Sequence, residues 1–159
     1  GVQWMTRTAD AGLAVAQAEL GHLYNDGGEG VTQDFAKALH YYRLAVKQDE
    51  SSAINNLGLF YLEGKASVKQ DYKEALRLFK LSSAAGNGLG SSNIGYMYEE
   101  AKGLNKDYKK AAEYYALAVE QGENEVLLDL ARLYKTGGYG LAKNQELAEE
   151  YEAEWSDLQ

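Results

Sequence analysis

A five-residue string recurs along this chain at a fixed spacing: LGHLY at 20–24, LGLFY at 57–61, IGYMY at 94–98 and LARLY at 130–134. The steps are 37, 37 and 36 residues. A second set follows at a nearly constant distance, Asp34, Asp71, Asp107 and Asn144, then Ala38, Ala75, Ala111 and Ala148. Self-similarity at this period restricts the chain to repeat architectures, in which a unit too small to close its own core buries its apolar face on its neighbours.

Within each unit the apolar residues keep helical spacing, as in Ala16, Leu20, Leu23 and Tyr24, then Phe35, Ala38, Tyr42 and Ala45. Each unit is therefore two helices, A and B. The Asp or Asn ahead of helix B suits an N-cap, which accepts hydrogen bonds from unpaired first-turn amides, so helix B should start at 35, 72, 108 and 145. Asp71 with Glu74 has the spacing of a capping box. Glycines between the helices allow a left-handed turn, and Gly86 and Gly122 stop helix B where the first unit has Asp49. Glycine or alanine at 21, 58, 95 and 131 should let two helices approach closely, with the tyrosine three residues on filling the space beside it.

The units run 13–49, 50–86, 87–122 and 123–159 within a single repeat domain, 1–159. Residues 1–12 read as a half repeat, helix B alone, which places the chain at the C-terminal end of a longer solenoid and any targeting signal upstream. The last unit departs most, with Trp155 in place of a late alanine, as expected of a terminal cap.

Residues 16–45 follow the pattern A-x-x-x-L-G-x-x-Y, then G-x-G-V-x-x-D-x-x-x-A-x-x-Y-x-x-A, and the later units follow it more loosely. In this the chain resembles the Sel-one-like repeat (SLR) family, relatives of the tetratricopeptide repeat. The resemblance implies an all-α fold, a right-handed α-solenoid of helix-turn-helix repeats, and a non-enzymatic adaptor or scaffold that binds other proteins.

A formal charge of −8 disfavours nucleic acid and anionic membrane surfaces as partners and leaves a basic protein or peptide allowed. No apolar run is long enough for membrane insertion. There is no cysteine, so thiolate chemistry and disulfides are excluded, while the compartment stays open. His22 and His40 lie on different helices and make a poor metal pair; no cofactor motif is present. Adjacent acids such as Glu99 and Glu100 point about 100° apart on a helix and do not suit shared acid–base work. Of the thirteen tyrosines, seven sit at equivalent repeat positions (24, 61, 98 and 134; 41, 114 and 151) and are expected in the core.

If helices A line the inner, concave wall, as the resemblance implies, their faces opposite the core form the groove that carries specificity. The rows across repeats are Val15, Ser52, Leu89 and Glu125; Glu19, Asn56, Asn93 and Asp129; His22, Leu59, Tyr96 and Arg132; and Asp26, Glu63, Glu100 and Thr136. Asn56 and Asn93, supported by Asn55, can both donate and accept and so suit clamping an extended backbone, with Leu59 and Tyr96 offering apolar contact. Asp26, Glu63, Glu99 and Glu100 end helices A where the dipole is already negative. Their compensation should come from Lys37, Lys73, Lys109 and Lys110 across the turn, or from a basic partner. The alternative role is self-association through the N-terminal helix, where Trp4 and Met5 take the places of Tyr41 and Tyr42.

Overall fold

A computed structural model describes residues 1–28 and 30–159. Among the described residues there are nine α-helices: α1 (Val2–Asp10), α2 (Ala14–Asp26), α3 (Phe35–Val46), α4 (Ser51–Glu63), α5 (Tyr72–Ala84), α6 (Gly88–Glu99), α7 (Tyr108–Glu120), α8 (Leu127–Thr136) and α9 (Gln145–Asp157). Helices α2, α4, α6 and α8 are helices A; α3, α5, α7 and α9 are helices B, beginning at the four expected residues.

The reason for those starts is visible in the caps. The side chains of Asp34, Asp71, Asp107 and Asn144 accept from the amides of Lys37, Glu74, Lys110 and Leu147 at 2.9–3.0 Å. Each cap residue also donates its own N–H to the carbonyl of the repeat tyrosine, 24, 61, 98 or 134, ending the preceding helix A, at 2.7–3.0 Å. One residue thus closes both ends of the turn. It also corrects the capping box: the Asp71 amide is already used, and the Glu74 carboxylate turns to Arg77, at 2.6 and 2.9 Å.

The chain forms two compact units, Gly1–Leu81 and Ser82–Gln159. Helices that pack mainly on their neighbours in sequence build local cores. In the first unit α1 packs on α2, α2 on α3 and α3 on α4. Its core joins Ala38, Tyr42 and Ala45 of α3 to Ile54, Leu57 and Phe60 of α4 and Leu78 of α5. In the second unit α6 packs on α7, α7 on α8 and α8 on α9, around Ala111, Tyr115, Leu130 and Leu133.

The small residue of each helix A has a more specific cause than close backbones. A Cβ at Gly21 would stand 2.6 Å from the ring of Tyr42, one at Gly58 2.6 Å from Phe79, and one at Gly95 2.7 Å from Tyr115. The aromatic ring of helix B, not the tyrosine three residues on, occupies the glycine's space. In the fourth repeat Glu152 takes the place of the aromatic residue, and the small residue is Ala131 rather than glycine.

The seven repeat tyrosines are half-buried, not core. Three hairpins close with a stacked pair, Tyr24–Tyr41, Tyr98–Tyr114 and Tyr134–Tyr151, with centroids 5.9–6.1 Å apart. The buried tyrosines are Tyr42 and Tyr115. Asp49 has φ +56, the left-handed conformation its repeat position demands of glycine.

Candidate partner-binding faces of helices A

In the first unit, Glu19 is exposed and His22 half-buried on α2. Asn56 of α4 reaches back to His22, Nδ2 to Nε2 at 2.9 Å, and the His22 ring stands edge-on to Tyr42 at 5.7 Å. An amide nitrogen only donates, so Nε2 of His22 is the acceptor here. Asn56 is 9% exposed and Leu59 is half-buried. Asn55 is 2% exposed and faces the interior, which corrects its placement on the face opposite the core. The physical reason is that α4 contacts both α2 and α3 and carries Phe79 of α5 against Gly58, so residues 53–58 are buried all round.

In the second unit, Tyr96 and Leu89 of α6 are exposed, and Asn93 between them is half-buried and engaged. On α8, Asp129 and Arg132 bond each other, Nη2 to Oδ1 at 2.9 Å. The other arm of the guanidinium lies 2.6 Å from Glu99 Oε1, and Glu99 Oε2 accepts from the Tyr115 hydroxyl at 2.8 Å. Glu99 is 5% exposed, so this is a buried carboxylate with both oxygens satisfied. Burial first, and the Glu99 charge second, push the Tyr115 phenol above its ordinary range. The hydrogen bond to Glu99 chiefly raises Arg132. Arg132 therefore braces two neighbouring helices as well as standing on the face opposite the core.

This network answers the question of the acids ending helices A. Glu99 is met by Tyr115 and Arg132, Glu63 by Lys65 at 2.7 Å, and Asp26 by the amide of Asn25 at 2.7 Å. Lysines 37 and 110 instead lie over the repeat tyrosines 24 and 98, at 4.9 and 5.2 Å from the ring centres.

Aligning the repeats exposes a pair of positions that sequence reading passed over. Residues 25, 62, 99 and 135 of helices A match residues 42, 79, 115 and 152 of helices B. The pairs are Asn25 and Tyr42, Leu62 and Phe79, Glu99 and Tyr115, and Lys135 and Glu152. The second pair is buried and apolar, the third is hydrogen-bonded at 2.8 Å, and the fourth is an ion pair at 2.5 Å. In the first, Asn25 Oδ1 and the Tyr42 hydroxyl are both buried with no hydrogen-bond partner among the described residues. The signal lay in covariation between paired positions of the repeats rather than in any motif.

Among the described residues no group of three or more His, Asp or Glu is placed to hold a metal ion, and no helix is long and apolar enough to cross a membrane.

Helical hairpins joined by capped glycine turns define an all-α helical-repeat protein of the α-solenoid class. The Sel1 repeat model matches residues 14–50, 51–87, 89–123 and 125–151, and the chain belongs to that family. No curated protein matches the sequence. Among solved structures, the chain is similar to a protective antigen of uropathogenic Escherichia coli displaying an SLR fold, with 30% identity and a TM-score of 0.84 over 99% of this chain and 33% of that one. It is also similar to a Sel1 repeat protein from Oxalobacter formigenes, with 28% identity and a TM-score of 0.85 over 98% of this chain and 62% of that one. An immunity protein from Pseudomonas aeruginosa shares the fold, at 20% identity and a TM-score of 0.57 over 99% of this chain and 73% of that one. The chain thus spans about a third and about three fifths of the first two relatives. Sel1 repeats are generally non-catalytic protein-interaction modules.

Proposed function

We propose that this chain is a non-enzymatic adaptor or scaffold module that binds a peptide or protein segment on the faces of its helices A opposite the core. The observation that supports it most is the composition of those faces. In the first unit they carry Glu19, His22 and Leu59, with Asn56 buried behind His22, and in the second Asn93, Tyr96, Asp129 and Arg132. Such a mixture of apolar contact with amide and charged groups suits recognition of an extended segment, because main-chain groups need donors and acceptors while side chains need pockets. The surplus of acid favours a basic segment.

Selection of binders from a displayed random peptide library tests this. Binders should lose affinity at least tenfold with His22→Ala, Leu59→Ala or Tyr96→Ala, and less than twofold with Lys47→Ala, just past α3, or Lys80→Ala on α5. Equal losses from both sets, or no binders, contradict the reading. Affinity for basic binders should fall as salt rises from low to moderate concentration.

A second reading, self-association through α1, is favoured by Trp4, which is 68% exposed. Light scattering that finds a strict monomer at high concentration removes it.

A further inference from the structure

We propose that the first repeat carries an acceptor site for an arginine side chain of a basic peptide, formed by Asn25, Asp26, Tyr42 and Leu59. The inference deepens the peptide-binding reading and rests on it.

Three observations carry the site. First, Asn25 Oδ1 and the Tyr42 hydroxyl are buried without a hydrogen-bond partner among the described residues, although buried polar atoms are satisfied in the great majority of cases. Second, the Asn25 amide cannot simply turn over to cure this. Its nitrogen donates to Asp26 Oδ1 at 2.7 Å, which fixes the carbonyl oxygen inward and holds a carboxylate beside it. Third, the chain itself shows what completes this constellation. At the matching positions of the third repeat stand Glu99 and Tyr115, bonded to each other, and the group that meets the Glu99 carboxylate is Arg132, arriving from the next helix A. The first repeat's counterpart of Arg132 is Leu59, which is half-buried and has no polar atom to offer. A guanidinium entering past Leu59 follows the course that Arg132 takes in cis.

The chemistry selects arginine over lysine. A planar fork of five donors can reach Asn25 Oδ1, the Tyr42 oxygen and the Asp26 carboxylate together, whereas an ammonium is a compact, strongly hydrated point charge. The methylene stem would lie along Leu59. Asp26 is exposed and supplies the opposite charge, within a chain whose formal charge is −8.

The test is an NMR titration of the isotope-labelled chain with the peptide acetyl-Gly-Ser-Arg-Ser-Gly-amide, and with its lysine counterpart. The arginine peptide should shift the Asn25 side-chain amide, Asp26 and Leu59, with the lysine peptide at least threefold weaker. Leu59→Arg supplies the guanidinium in cis and should abolish the shifts. Tyr42→Phe should weaken binding about threefold while leaving the spectrum of a folded chain. Shifts scattered over the surface, equal response to lysine, or shifts that survive Leu59→Arg overturn the proposal, and an internal water then serves the two atoms. If Leu59→Arg fails to fold, Tyr42→Phe decides: unchanged affinity overturns it. Should library-selected peptides still bind the faces of helices A while the arginine peptide bypasses Asn25, the module reading stands and this inference alone fails.

Discussion

In the third repeat the hydroxyl of Tyr115 donates to Glu99, and Arg132 holds Glu99 from the following helix; in the first repeat the matching Tyr42 hydroxyl and Asn25 Oδ1 have no hydrogen-bond partner among the described residues, and Leu59 stands where the arginine would be. The surroundings are otherwise alike. Both tyrosines are buried, both lie over a glycine of helix A, and both hairpins close with a stacked tyrosine pair. Since a buried unpaired polar group costs about 1–3 kcal/mol, the first repeat gives up stability at a position the same architecture can satisfy. Local inconsistency of that kind concentrates at functional sites, because a partner supplies what the chain withholds.

The largest effect should come from opening the closed repeat. Arg132→Met leaves the Glu99 carboxylate buried and half-unpaired; with allowance for the solvent exposure of the arginine, unfolding in urea should show a loss of about 2–3 kcal/mol. Leu59→Met, at the same position in the open region, should change stability by less than about 1 kcal/mol, since it removes no polar contact.

Next in size are the glycines beneath the rings. Gly21→Ala and Gly58→Ala drive a methyl group into Tyr42 and Phe79 and should each cost about 1–3 kcal/mol by thermal or urea unfolding. Ala131→Gly, where no ring lies opposite, should cost about 1 kcal/mol, the helix propensity difference alone.

Alkaline pH acts most strongly on the two buried tyrosines, Tyr42 and Tyr115, and less on Tyr41 and Tyr151, which burial also raises. Burial chiefly raises the first two, with Asp26 adding to Tyr42 and Glu99 to Tyr115, above the ordinary value near 10. Below about pH 10 the phenols are neutral in folded and unfolded chains, so stability is constant. Above it the unfolded tyrosines ionise and the folded ones resist, so stability falls as pH rises, by at most about 1.4 kcal/mol per pH unit for each tyrosine. Tyr42→Phe should remove one share of that slope in urea midpoints measured from pH 9 to 11.

Smallest is Asp49→Gly, which relieves a left-handed aspartate at φ +56 and should raise stability by about 0.5–1 kcal/mol in the same assay.

What the sequence could reveal divides along the same line. The starts of helices B, their caps and the repeat frame were legible because each rests on one residue type recurring at one spacing. The role of Gly21, Gly58 and Gly95 was only half legible: the small residue recurs visibly, but the ring above it changes between Tyr and Phe and lies about 20 residues away. The compensation of Glu99 was not legible. Arg132 belongs to the next repeat and has no counterpart elsewhere in the chain, so periodicity, which reports what repeats share, passes over it. Of the candidate faces, Asn55 was misplaced because α4 is packed on several sides, and a helical wheel assumes a single buried stripe.

If Asn25, Tyr42 and Leu59 are the open counterpart of Glu99, Tyr115 and Arg132, a double-mutant cycle with Asn25→Glu and Leu59→Arg should show them coupled. Urea unfolding should show that Asn25→Glu alone is destabilising and that adding Leu59→Arg recovers at least about 1 kcal/mol beyond the sum of the single changes. Strict additivity would mean that the two residues do not face one another as their third-repeat counterparts do, and would contradict the account.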